Sequence, residues 1–156
     1  MGTAAETIAA LEAAISAAAA DLALEITANL VAATPVDTGH ARANWIPSVG
    51  EPPSQEVDNA AAREAGIIEV AAFKLGDGMI SITNNAPYIG RLIAGSSSQA
   101  APGWDLAAID QSVATVQARH DGVRLDVSDI RAAVSSQRGS YAASAVAAAY
   151  SPLGDE

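Results

Sequence analysis

Apolar residues at Ile8, Leu11, Ile15, Leu22, Ile26 and Leu30 recur at spacings of three, four and seven. That period places them on one helical face, where Ala18, Ala19 and Ala33 fill the gaps. Thr3 and Glu6 have the separation of a capping box, so a helix is predicted over 3–33, roughly 45 Å long. Pro35 has no backbone N–H and biases Thr34 away from helical angles, so the helix must stop there. A helix of that length either packs along its own domain or projects in part, laying its Ala-rich stripe on a neighbouring subunit.

Beyond the turn the pattern changes. Residues 41–49 read as a strand, with Pro47 marking an edge or an end. Glu51-Pro52-Pro53-Ser54 is a loop. Residues 58–72 read as a helix capped by Asp58; Gly66 weakens it, and a strand over 67–70 competes. Leu75-Gly76-Asp77-Gly78 is a turn signal. Met79 to Thr83 alternates and is β-branched, so it reads as a strand ended by Asn84-Asn85. Pro87 opens a short helix or turn over 88–94, and 95–99 is a flexible polar loop. Pro102-Gly103 precedes a second clear helix, with Leu106, Ile109, Val113 and Val116 on one face, stopping at His120 before Asp121-Gly122.

Val123, Leu125 and Val127 alternate and suggest a short strand. Ser128 or Asp129 is positioned to cap a third helix, interrupted near Gly139. The Ala-rich end, 140–156, is helical by propensity. The expected fold is therefore α+β: a long N-terminal helix, a small antiparallel or mixed β-sheet flanked by helices, and a C-terminal helical arm. Residues 1–125 form the body and 126–156 the arm.

Composition sharpens this picture. Half of the 156 residues are hydrophobic but only 4% are aromatic, which predicts a thin core of close helix contacts and a stability completed by partners. The net charge of −10 argues against an electrostatic grip on DNA. With no cysteine, neither a disulfide framework nor a thiolate metal site is available. Glu6, Glu12, Asp21 and Glu25 interrupt the apolar first thirty residues, and no basic leader precedes them. A soluble chain with no membrane partner is expected.

Candidate chemistry is sparse. Asp37-Thr38-Gly39 matches the core motif of aspartic proteases, where two such aspartates share a proton across a dimer. That fold is nearly all β and its motif follows an apolar strand; here the motif follows a long helix and a proline. The turn reading is preferred, with Asp37 bonding N–H groups downstream and Gly39 accepting positive φ. His40 and His120 lack zinc-site spacing. Neither a nucleophile elbow nor a phosphate-binding glycine loop occurs, and no cofactor is expected. Arg42 and Arg91, beside Trp45 and Tyr88, are placed to stack or to pair with carboxylates across an interface; Trp45 and Tyr88 also suit core positions.

Three segments, TPVDTGHARANW, SITNNAPYIGRLIAG and SSSQAAPGWDLAAI, occur in that order over 34–110. Together they resemble the tail-completion or neck proteins of long-tailed bacteriophages. In that family a helix leads into T-P-V-D-T-G, a basic residue and N-W; a strand, N-N-x-P-Y, a basic-Leu pair and Q-A-P before a helix follow. Here His40 stands at the basic position, Ile93 follows Arg91-Leu92, and Gln99 and Pro102 are separated by two alanines.

The resemblance implies a structural virion protein and not an enzyme. It implies an α+β subunit in a ring, sixfold by default, that completes or terminates the tail tube. Its partners would be copies of itself, the head connector or stopper protein and the tail tube protein, with DNA passing unspecifically through the lumen. The chain would reside in the virion neck, and in host cytoplasm during assembly. The motif positions implied as contacts are Asp37, Thr38, Gly39, Arg42, Trp45, Asn84, Asn85, Tyr88 and Arg91. Helix 1 and the C-terminal arm are the expected ring surfaces. The competing reading is a small cytoplasmic interaction module, for instance a toxin–antitoxin or scaffold partner.

Overall fold

The computed structural model describes residues 2–127 and a short strand at 144–146. Helix α1, Ala4–Ala33, has the capping box that Thr3 and Glu6 predict: Glu6 N donates to Thr3 Oγ1 at 3.2 Å and Thr3 N to Glu6 Oε2 at 2.7 Å. It ends at Thr34, whose ψ of 125° is the extended conformation that the following proline favours.

From Ile15 onward one face of α1 is the spine of the core. Ile15, Ala18, Ala19, Leu22, Ala23, Ile26 and Leu30 are buried along it. Helix α5, Trp104–Arg119, lies antiparallel on this spine. The direction follows from Asn29 Nδ2 donating to Ser112 Oγ at one end, and from Arg119 meeting Asp21 and Glu25 at the other. Ala108 and Ser112 keep that interface narrow, as an aromatic-poor core requires. By length and composition alone α1 falls in the range of a membrane-crossing helix. Its four acidic residues do not take it out of that range; it is the burial of Ile15 to Leu30 against the body that uses its stripe here.

The sheet is antiparallel, in the order β1-β2-β3: Trp45–Val49, Ile80–Asn84 and Ser144–Val146. Trp45 pairs with Asn84 and Val49 with Ile80; on the other side of β2, Ile80 pairs with Val146. Val49 N donates outward to Glu69 Oε1 at 2.9 Å, so Pro47, two residues earlier, also faces outward. Its missing N–H therefore interrupts no ladder bond, as expected for an edge.

Helix α3, Ala61–Ala71, covers that edge. Gly66 explains how closely: a Cβ there would stand 2.0 Å from the Pro47 carbonyl oxygen. The residue that weakens the helix locally is the one that admits the strand.

Several expectations are corrected. The predicted strand over 41–49 is split: His40–Ala43 forms the single turn α2, and β1 begins only at Trp45. Asp58 does not cap α3, which starts after Ala60; Asn59 Oδ1 accepts from Ala61 N at 2.9 Å instead. Val123, Leu125 and Val127 are buried but form no strand. The Gln117 amide bonds the backbone of the first two, accepting from Leu125 N at 2.9 Å and donating to Val123 O at 2.7 Å. Within the expected helical arm, 144–146 is strand. The predicted third helix, capped by Ser128 or Asp129 and interrupted near Gly139, lies outside the described residues, as does the rest of the Ala-rich end apart from 144–146.

Candidate functional site

The turn after α1 is assembled from backbone groups that helix ends leave without partners. Thr34 is fully buried; its hydroxyl donates to Leu30 O at 2.5 Å and accepts from Trp45 Nε1 at 2.8 Å. Arg42, from α2, turns back on the same helix end. Its Nε donates to Thr34 O at 2.9 Å and its Nη2 to Ala32 O at 3.3 Å. The last turn of α1 has no basic residue of its own, so Arg42 supplies the positive charge that its dipole favours.

Gly39 takes φ 84°, a left-handed conformation in which a side chain is strained, and from there α2 begins. Thr38 Oγ1, not Asp37, accepts the downstream N–H, that of His40 at 3.3 Å. Asp37 is exposed.

Side-chain amides then tie three distant loops to this corner. Gln99 brackets Val36, accepting from its N–H at 2.8 Å and donating to its carbonyl at 2.7 Å. Asn44 does the same for Val57, with both bonds at 2.9 Å. Asn84 Nδ2 donates to Ala41 O at 2.9 Å while its Oδ1 accepts from Ala86 N at 3.0 Å. Asn85 holds the proline loop through Pro53 O at 2.9 Å and Gln55 O at 3.2 Å. His40 pairs with Glu56 on that loop, and its ring lies 6.2 Å from that of Tyr88. The polar loop over 95–99 is thus anchored at its end through Gln99.

Between these parts lies a cleft of about 280 Å³, lined by Pro35, Asp37, His40, Tyr88, Leu92 and Gln99 among others. Helix α4, Ile89–Ile93, forms one wall, and Trp104 Nε1 fixes its end by donating to Leu92 O at 3.0 Å. Among the described residues no group of three or more His, Asp or Glu is arranged to hold a metal ion.

The nine motif residues therefore divide. Trp45 and Asn84 are at most 1% exposed and act inside the chain's own core. Arg42, Gly39 and Asn85 shape the turn and loops. Asp37, Thr38, Tyr88 and Arg91 reach the surface, the first three around the cleft or its rim. Sequence reasoning missed Glu56, the histidine's partner, because nothing in the spacing marks it. Gln99 was visible only as part of the Q-A-P segment, without its role.

A second feature stands apart from this corner. Residues 2–14 are all exposed, with Ala9, Glu12 and Ala13 bordering an open pocket of about 470 Å³ that Phe73, Lys74 and Leu75 also line. Within 2–14, Ile8 and Leu11 are 55% and 40% exposed. No family model matches the chain, and neither a curated protein nor a solved structure does.

Proposed function

We propose that this chain is a structural subunit of the head–tail junction of a long-tailed bacteriophage. Copies of it form a ring that completes or terminates the tail tube and joins it to the head connector. The observation that carries the reading is the uncovered start of α1: an apolar helical face built like core but left open by its own body. Such a face fits a subunit finished by its neighbours.

Two further features support it. The three segments that resemble the neck proteins meet at one corner, where they lock α1 to the sheet edge and to α4. A ring subunit must hold that angle against load. The net charge of −10 suits a lumen that repels phosphate and lets DNA slide.

The test is made on particles. Antibody labelling of intact virions should mark the neck. Particles lacking the chain should show heads and tails left apart, or tails of uncontrolled length. Normal, infectious particles without it would overturn the assignment and leave the small interaction module as the better account.

A further inference from the structure

The stripe of α1 does not stop where the body stops. Ile8 and Leu11 lie seven and four positions before Ile15, on the face that carries Leu22 and Ile26 into the core. Those exposed turns also carry Glu6 and Glu12 and no cation of their own; Lys74 lines the same open pocket as Glu12 but forms no ion pair with it. A second apolar surface is open on the same subunit. It is a groove of about 320 Å³ between the later half of α1 and α3, lined by Leu24, Thr27, Ala28, Val31, Arg63 and Ile67.

The charged side chain in that lining is a cation. Arg63 Nη1 donates to the Arg42 carbonyl at 2.6 Å, and its charge meets no carboxylate among the described residues. Tip and groove therefore complement each other in apolar character and in charge. Within one subunit they cannot meet, because one continuous helix holds them about 27 Å apart along its axis.

We propose that the first three turns of α1 seat in the α1–α3 groove of the next copy, with Ile8 and Leu11 toward Val31 and Ile67 and Glu12 toward Arg63. This rests on the ring reading and gives it two unlike surfaces. Each subunit offers a tip and receives one, and such a head-to-tail contact must close on itself.

The chain has no cysteine, so the contact can be tested by disulfide capture. Full-length Leu11→Cys and Ile67→Cys chains are mixed under mild oxidation. A covalent pair is expected in the mixture and in neither variant alone. A linked pair from Leu11→Cys alone would mean tip-to-tip packing and overturn the proposal. Ile67 is 38% exposed, so Ile67→Asp should fold, verified by circular dichroism, and weaken self-association at least tenfold. A wild-type multimer that shows no capture and ignores Ile67→Asp would sink the groove contact while the ring stands. A wild-type monomer at every concentration would remove both.

Discussion

The two ends of α1 carry the same apolar period and meet different fates. Leu22, Ile26 and Leu30 are at most 2% exposed beneath α5 and the sheet, whereas Ile8 and Leu11 face solvent. Periodicity therefore announces a face that will be covered, but not what covers it. At the C-terminal end the cover is the chain itself, fixed by Thr34, Arg42 and Trp45. At the N-terminal end, on our reading, it is another copy.

Paired substitutions make that contrast measurable. The largest effect is expected from Ile26→Ala, about 2–5 kcal/mol of lost stability in urea denaturation, because the cavity lies in packed core. Gly66→Ala should follow, at about 1–2 kcal/mol. The new methyl collides with the Pro47 carbonyl, and the better helix propensity offsets only part of that. Gln99→Ala removes both bonds to Val36 and should cost about 1 kcal/mol, read most directly as faster hydrogen exchange at the Val36 amide. Ile8→Ala should be smallest, within about 0.5 kcal/mol in dilute solution, since the side chain is half in water already. If Ile8→Ala and Ile26→Ala cost the same in dilute solution, the contrast between the two ends is wrong.

Where a sequence signal had a local cause, it could be read directly. The capping box and Pro35 set both ends of α1, the β-branched run placed β2 to within one residue, and Asp121-Gly122 marked the end of α5. The α+β class followed from these. What escaped was decided at a distance. The four residues of α2 are too short to show a period, so they merged with the strand after them. Val123, Leu125 and Val127 alternate as a strand would and are buried, but a side-chain amide, not a neighbouring strand, bonds Val123 and Leu125.

The corner itself was half legible. Thr34 to Trp45 stood out as the pivot, and Trp45 is the largest of the fully buried side chains. The bonds that make the corner rigid join residues far apart in the chain; Gln99 is 63 positions from Val36. Arg42 shows the same limit. Its type and neighbours suggested a contact across an interface; within the chain its guanidinium closes the C-terminal end of α1.

On our reading the open start of α1 is closed by another copy. Sedimentation of the full-length chain across a wide concentration range, beside Leu11→Asp, tests it most directly. The wild type should approach a fixed multiple of the subunit mass, and Leu11→Asp should sediment as a single subunit with unchanged helix content. A wild type that stays single at every concentration, or a multimer indifferent to Leu11→Asp, would contradict the account.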